Sequence, residues 1–248
     1  MTELSENILE RINHGGTRAD LERDIVQSDL DFGRAYKVYE SSTLFEENTC
    51  DAVEIAQILE EGNYLWQLPV FADGTTLLVD LIKPEEPGQW TAGVIYVYKN
   101  RTVDYCENIE NSLIRAGFDP DDYTYKFVSG LPGIRYPIAV VCDENYAKFI
   151  IPAEAASAHV FEGEWSTVNN GASPSEIPAP MTEDSFNVYA FEEIADASRR
   201  ADAAGRGGEP GILPDDNGSS FPHGIVLLGI GIAGTGGIAL YLKRKRKN

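Results

Sequence analysis

The feature that most constrains this chain is an uncharged run near its end, residues 224–242, which a block of basic residues follows at once. In a helix, a run of this length spans about 28 Å, close to the thickness of the hydrocarbon core of a bilayer. We therefore predict one C-terminal transmembrane helix with a basic tail within residues 223–248. The positions that define this anchor are Gly224, Leu228, Gly229, Ala233, Gly237, Leu242, Lys243, Arg244, Lys245, Arg246 and Lys247.

The glycines of the run allow two further interpretations. Gly229, Gly231 and Gly234 match the spacing of a dinucleotide-binding turn, which also requires a following helix, a second strand and an acidic residue about 20 positions later. None of the 14 residues after Gly234 is acidic, so we expect no nucleotide site. Gly229, Ala233 and Gly237 instead place small residues on one helical face, where a second helix can approach. Small residues are common in membrane spans, so self-association through this face is one of two alternatives.

Charge indicates the side of the membrane on which the rest of the chain lies. The net charge is −20 even though residues 243–247 are all basic. An acidic body argues against nucleic-acid binding, because phosphates require Lys and Arg, whereas the basic end suits anionic lipid headgroups. The positive-inside tendency places that end in the cytoplasm and the acidic domain outside.

The first residues of the chain leave the route to the membrane open. Residues 1–7 contain neither a basic start nor an apolar core, so they do not form a signal peptide. Two models remain: export by a signal that is not part of this chain, which we favour, or a tail-anchored protein that faces the cytoplasm. We expect a single-pass protein of the cell membrane whose acidic domain lies outside.

Cysteine and histidine usage argues against cofactor sites. Cys50, Cys106 and Cys142 are an odd set that allows one disulfide bond at most. The three histidines are scattered without the spacing of metal ligands. We therefore predict no metal and no cofactor.

Periodic patterns before residue 160 predict an α+β domain, with an antiparallel sheet and helices mainly on one face. Helices are predicted over residues 3–13, after Thr17 with the stripe Leu21, Ile25 and Val26, and after the N-caps Asp51 and Asp104. Strands are predicted over residues 34–41, 64–71, 75–82, 90–98, 123–128, 134–142 and 146–151, with a hairpin turn at Asp73 and Gly74.

The order of these elements suggests a repeat and a boundary. A helix followed by three strands occurs twice, which indicates either an internal duplication or two unrelated α+β units. Residues 161–222 are rich in Pro, Gly, Ser and Asn, so we predict a mostly disordered tether with a helix near residues 186–204. The predicted organisation is a globular ectodomain over residues 1–160, this tether, and the anchor over residues 223–248.

Leu213 and Pro214 lie a few residues before the apolar run, as the first two residues of a sorting motif do. Polar tether, apolar span and basic end together resemble, over residues 211–248, the C-terminal sorting signals of Gram-positive surface proteins. The resemblance implies a cell-surface protein. Asp216 and Asn217 stand where such signals carry Thr and Gly, the residues that flank the sortase cut. We therefore expect membrane anchoring without covalent attachment to the wall.

No catalytic constellation is visible in the sequence. Arg135 and Tyr136, in a loop rich in Gly and Pro, are candidate ligand-binding residues, although a plain strand connection uses the same residue types. Asp119, Asp121 and Asp122 lack the spacing of a calcium loop and indicate an acidic turn. Trp66 and Trp90 on predicted strands are more typical of a core than of a sugar platform.

The expected function is therefore binding at the cell surface, with an extracellular protein or a glycan as partner and the bilayer as support. An enzyme, for example a hydrolase whose acidic residues meet only in three dimensions, is the alternative, and a cytoplasm-facing adaptor is a third hypothesis. Two carboxylates in a concave pocket would favour the enzyme. Exposed aromatic residues on a sheet face, or an open edge strand, would favour binding.

Overall fold

The computed structural model describes residues 2–83, 90–131, 134, 136–154, 168 and 186–203. Within these residues the chain has an α+β architecture built on one eight-stranded sheet. The strands are β1 (Tyr36–Glu40), β2 (Asn63–Ala72), β3 (Thr75–Ile82), β4 (Thr91–Tyr98), β5 (Thr124–Ser129), β6 (Ile138–Cys142), β7 (Ala147–Pro152) and β8 (Tyr189–Ala190). Their order across the sheet is β4-β3-β2-β1-β5-β6-β7-β8.

The sheet is mixed, so the prediction of an antiparallel sheet is wrong at one position. β1 and β5 are parallel, with Val38 beside Phe127, and every other pair of neighbours is antiparallel. Parallel neighbours require a long crossover connection. Here the connection contains two helices and the whole meander β2-β3-β4, and its length leaves the direction of β5 free.

The α-helices of the described residues are α1 (Thr2–His14), α2 (Ala52–Glu61), α3 (Tyr105–Arg115) and α4 (Phe191–Ala203). On one side of the sheet, α1 packs on β2, β3 and β4, while α2 and α4 pack on β1, β5, β6, β7 and β8. We call this side the helix-rich face. The other side, the α3 face, carries α3 over β1, β5, β6 and β7. The expectation that helices lie mainly on one face is confirmed.

Local signals set the ends of α2, α3 and the first hairpin as predicted. Asp51 accepts hydrogen bonds from the backbone N–H groups of Val53 (2.9 Å) and Glu54 (3.0 Å), and Asp104 caps α3 in the same way. Such caps satisfy N–H groups that have no partner within the helix. Asp73 and Gly74 both have positive φ, 51° and 77°, as a two-residue hairpin turn between twisted strands requires.

The two halves of the sheet share a strand arrangement but differ in the placement of their helices. The meanders β2-β3-β4 and β5-β6-β7 extend outward from the central β1 in the same manner. A two-fold rotation about the normal to the sheet through β1 superposes their strand directions and keeps each face on its own side. The preceding helices α2 and α3 nevertheless lie on opposite faces. The structure therefore repeats the meander without repeating the helix before it.

The helix predicted after Thr17 is absent from the structure. A short 3-10 helix, Gly16–Asp20, is followed by extended chain in which Leu21 and Ile25 are buried but Val26 is 50% exposed. Asn13 explains the extended conformation, because its side-chain amide exchanges two hydrogen bonds of 2.8 Å with the backbone of Ile25. This tertiary contact overrides the helical spacing of the apolar residues.

The helix expected near residues 186–204 begins at Phe191 and is packed onto the sheet. Before it, β8 pairs with β7. Phe186 and Val188 pack on the α3 face, whereas Phe191 and Ile194 pack on the helix-rich face, so the chain passes around this edge of the sheet. Residues 186–203 therefore belong to the folded unit, although the sequence placed them within the tether.

The predicted anchor, residues 223–248, and most of the predicted tether lie outside the described residues. Among the helices that the structure describes, none has the length and apolar character needed to cross a membrane. The membrane helix, the basic tail and the self-association surface at Gly229, Ala233 and Gly237 stay predictions.

Candidate functional site

The structure describes only part of the loop that the sequence suggested as a binding site. Tyr136 is half-buried just before β6, and Arg135 lies outside the described residues. Leu131 and Ile134 bridge across this loop, and both are buried in the helix-rich core. Asp119 caps the short turn Pro120–Asp122, accepting from the N–H of Asp121 at 3.1 Å. In the part of the chain that is described, no group of three or more His, Cys, Asp or Glu side chains could hold a metal.

A different set of residues meets on the helix-rich face, at the seam between the core under α1 and the core under α2 and α4. Strand register creates the set, because Lys37 of β1 lies beside Trp66 of β2, and Tyr39 lies beside Tyr64. Trp90, directly before β4, packs against Tyr64 in a tilted arrangement with their ring centroids 5.9 Å apart. We call Lys37, Tyr39, Tyr64, Trp66 and Trp90, with Glu60 and Lys126, the aromatic groove.

The Lys37 ammonium lies among the aromatic rings of this groove. Its Nζ is 4.4 Å from the centroid of Tyr64, 5.5 Å from that of Tyr39 and 5.9 Å from that of Trp66. The negative face of an aromatic ring attracts a cation at these distances. Tyr64, Trp66 and Trp90 are half-buried, not enclosed, so their rings remain partly accessible from solution.

Glu60, in the last turn of α2, is the acceptor on which the polar side chains of the groove converge. Lys37 Nζ donates to Glu60 Oε2 at 3.0 Å, and Lys126 Nζ donates to Oε1 at 3.4 Å. The Tyr39 hydroxyl also donates to Oε1. The hydrogen bond from Tyr39, followed by that from Lys37, lowers the pKa of Glu60 to about 2. Glu60 is therefore a carboxylate at any physiological pH.

The α3 face contains a second polar set, which is buried. Gln67 Nε2 donates to Asp80 Oδ1 at 2.8 Å, and the Tyr36 hydroxyl lies 3.2 Å from Gln67 Oε1. Tyr98 donates to Glu154 Oε2 at 2.6 Å. We call these residues, together with Tyr96 and Tyr105, which hydrogen-bond to Asp80 and Glu154 respectively, the acid–tyrosine cluster.

Burial dominates the electrostatics of this cluster. Desolvation raises the pKa of Asp80 from 3.8 to about 6, against hydrogen bonds from Gln67 and Tyr96 that lower it. Desolvation also raises the pKa of Glu154, and it raises the pKa of Tyr96 to about 12. Asp80 occupies a β-bulge, where the register between β3 and β4 shifts and Gly93 approaches the Asp80 backbone closely. An acid with this pKa can exchange a proton near neutral pH.

The acid–tyrosine cluster does not have the geometry of an open catalytic pocket. Asp80 and Glu154 are only 6% and 8% exposed, and each is already hydrogen-bonded to partners of the cluster. A cavity of about 230 Å³ lies elsewhere, between α4 and the segment before α2, and its lining includes Cys50, Phe191 and Arg199. Neither buried carboxyl lines that cavity. The aromatic groove is thus the more accessible of the two candidate sites.

The sequence pattern predicts neither set, although it places some of their members on strands. The pattern favours a core position for Trp66 and Trp90, and both pack against the core under α1. Because they are only partly buried, they also border the groove. The sequence does contain one usable signal. Lys37 and Tyr39 are two residues apart, as are Tyr64 and Trp66, and residues two apart on a strand lie on the same face. The pairing of β1 with β2, and the approach of Glu60, are not encoded in that spacing.

No protein-family model matches this chain. No curated protein and no solved structure matches it significantly either. The site must therefore be interpreted from its own geometry.

Proposed function

We propose that this protein is a membrane-anchored binding module that presents its α+β domain outside the cell and binds a saccharide in the aromatic groove. The observation that carries the proposal is the set of half-buried rings of Tyr64, Trp66 and Trp90 beside the charged groups of Lys37 and Glu60. A pyranose ring has apolar C–H faces and a rim of hydroxyl groups. Aromatic walls suit the faces, and flanking charged groups suit the hydroxyls.

A saccharide fits this surface better than a folded protein does. A stable protein–protein interface needs a contiguous patch, and it buries roughly 800 Å² of accessible surface on each partner. The most exposed large apolar side chains of the described residues are scattered over separate elements, and none belongs to the groove: Val26, Val53, Ile82, Val94, Ile114 and Tyr146. The groove instead combines a few aromatic rings with charged groups, a combination that suits a small, hydroxylated ligand.

Substitution of Trp66 tests this function. We expect Trp66→Ala to weaken binding of an oligosaccharide by about tenfold, by analogy with nucleic-acid bases, whose stacking on an aromatic residue contributes about 1–3 kcal/mol by alanine substitution. The full chain in nanodiscs would be titrated calorimetrically with chitotetraose, a neutral tetrasaccharide. Tyr146→Ala is the matched control, because Tyr146 is 49% exposed, carries Lys148 Nζ 5.3 Å from its ring and lies outside the groove.

Two results would overturn the saccharide proposal. One is that the wild-type chain binds neither a charged nor a neutral saccharide. The other is an equal loss of affinity in the Trp66 and Tyr146 variants, which would place the ligand elsewhere.

The outside location is proposed from the apolar run and its basic end, residues 224–247. Protease added to intact cells tests it, with immunodetection of the domain before and after digestion. We expect digestion of the domain on intact cells. Survival of the domain on intact cells, with digestion after permeabilisation, would favour the cytoplasm-facing adaptor.

An enzyme is the second candidate, and Asp80 is the observation that favours it. Its pKa of about 6 and its place in a β-bulge are both typical of a proton-transfer group. A hydrolytic activity that disappears in Asp80→Asn, while the variant keeps its fold and its saccharide affinity, would establish this candidate over simple binding.

A further inference from the structure

We propose that the aromatic groove selects ligands that carry a carboxylate, and that Glu60 holds the position of that carboxylate until the ligand displaces it. This inference rests on the proposed saccharide function and names the class of saccharide, an acidic one such as a glucuronic-acid oligomer. It treats Glu60 as an internal substitute for the ligand's acid group.

The donors around Glu60 form a receptor for one carboxylate. Two ammonium groups and one hydroxyl, from Lys37, Lys126 and Tyr39, meet on its two oxygens, with the lysine contacts at 3.0 and 3.4 Å. The three donors come from β1 and β5, at the centre of the sheet. Because those strands are buried in the fold, the donors stay in place when the carboxylate they hold is exchanged.

Glu60 itself can leave this position without disturbing the fold. Its side chain is 47% exposed, and it lies in the last turn of α2, where Leu59 is fully buried and holds the helix on the sheet. An exposed ion pair contributes little to stability. Rotation of the Glu60 side chain into solvent therefore costs little, provided that another anion takes its place.

The two lysines require such an anion. Lys37 directly precedes Val38 in β1, and Lys126 directly precedes Phe127 in β5. Because Val38 and Phe127 are paired in these parallel strands, the two lysines are direct neighbours on one face. Like charges beside each other on adjacent strands repel. A ligand carboxylate restores the neutralisation that Glu60 provides and leaves the pyranose ring against Tyr64 and Trp66, which lie on the β2 side of Lys37.

The overall charge of the chain restricts the ligand further. A chain of net charge −20 repels extended polyanions, while a single carboxylate at the groove is affected mainly by the charges within the Debye length of about 8 Å. The favoured ligand therefore has one acid group for each bound segment, alternating with neutral rings.

The test compares two tetrasaccharides of the same ring count on the full chain in nanodiscs. One alternates glucuronic acid with N-acetylglucosamine, and the other is the neutral chitotetraose. For the wild type we expect tighter binding of the acidic one. In Glu60→Gln, the ratio of the affinity for the acidic tetrasaccharide to the affinity for the neutral one should rise by about tenfold, because the charge that competes with the ligand carboxylate is removed. Glu61→Gln, an exposed glutamate on the same helix, is the matched control and should change neither affinity.

Lys126→Gln provides the complementary variant. It removes one charge-assisted hydrogen bond to the acid group, so the ratio of the affinity for the acidic tetrasaccharide to the affinity for the neutral one should fall by about tenfold or more. Thermal unfolding of each variant confirms that the fold is intact.

The outcomes separate the two proposals. If both tetrasaccharides bind equally in the wild type and in Glu60→Gln, the groove binds saccharides and the carboxylate inference is overturned. If neither binds, the proposed function itself fails, and the inference with it. Tighter binding of an acidic peptide of similar size than of either tetrasaccharide would overturn the saccharide class.

Discussion

A tyrosine hydroxyl donates to a glutamate on each face of the sheet: Tyr39 to Glu60 on the helix-rich face and Tyr98 to Glu154 on the α3 face. The two carboxyls have opposite properties. The pKa of Glu60 is lowered to about 2, first by Tyr39 and then by Lys37. The pKa of Glu154 is raised, because burial outweighs the hydrogen bonds from Tyr98 and Tyr105. The same donor and acceptor thus produce opposite acidities in two environments.

The difference teaches which features of a site control exchange with solution. Glu60 has ammonium partners and its side chain is 47% exposed, so its charge is satisfied whether or not a ligand is bound. Glu154 is 8% exposed and is held chiefly by neutral hydroxyl groups. A carboxyl in the first environment can be replaced by a ligand, whereas one in the second is part of the folded interior.

The strongest test of this comparison uses Asp80, the other acid of the buried cluster. Its folded pKa of about 6 exceeds its unfolded value of 3.8, so the folded state binds the proton more tightly. The contribution of Asp80 to the free energy of unfolding is therefore favourable below pH 4 and is lost as the pH rises through 6. Asp80→Asn keeps an acceptor for Gln67 and removes the charge. We expect it to raise the free energy of unfolding at pH 7 by up to about 3 kcal/mol.

Urea unfolding of both proteins between pH 4 and pH 8 measures this effect. The wild type should lose stability across that range, and Asp80→Asn should lose much less, the remainder being due to Glu154. An unchanged pH dependence in the variant would show that Asp80 is not the buried acid responsible.

A pair of identical substitutions probes the two tyrosine–glutamate contacts. Tyr98→Phe removes one of the two hydroxyl donors of the buried Glu154, which should cost about 1–3 kcal/mol of unfolding free energy. In Tyr39→Phe, water and the two lysines still satisfy Glu60, so we expect a cost below about 1 kcal/mol. Chemical denaturation at pH 7 gives both values. Equal costs would mean that the two faces do not differ in solvation as the burial of their carboxyls indicates.

The smallest effect is expected for the loss of stability that protonation of Glu60 causes at low pH. Its folded pKa lies below its unfolded value of 4.5, so its contribution is present above pH 4.5 and is lost as the pH falls toward 2. Glu60→Gln should flatten the stability curve slightly in that window, with added salt reducing the difference further because the pair is exposed. A direct NMR titration of the Glu60 carboxyl with a midpoint near 4.5 would contradict the convergence of donors on it.

Much of the fold could be predicted because its signals are local. The caps Asp51 and Asp104, the turn at Asp73 and Gly74, and the alternation along each strand depend on a few consecutive residues. Predictions were wrong where distant contacts decide. Asn13 holds Ile25 extended where spacing predicted a helix, and β5 joins the sheet parallel to β1 across a connection whose length leaves either direction open.

By itself, the sequence determined the kinds of most secondary structure elements and the expectation of an anchored, acidic surface protein. Both follow from short-range periodicity, capping chemistry and the distribution of charge along the chain. Only the tertiary structure decided that Lys37, Glu60, Trp66 and Lys126 surround one groove, and that Asp80 and Glu154 are buried together with tyrosines. The physical reason is that strand register, helix face and burial arise from pairings between residues far apart in the chain, and these pairings set both the geometry and the acidity of each site.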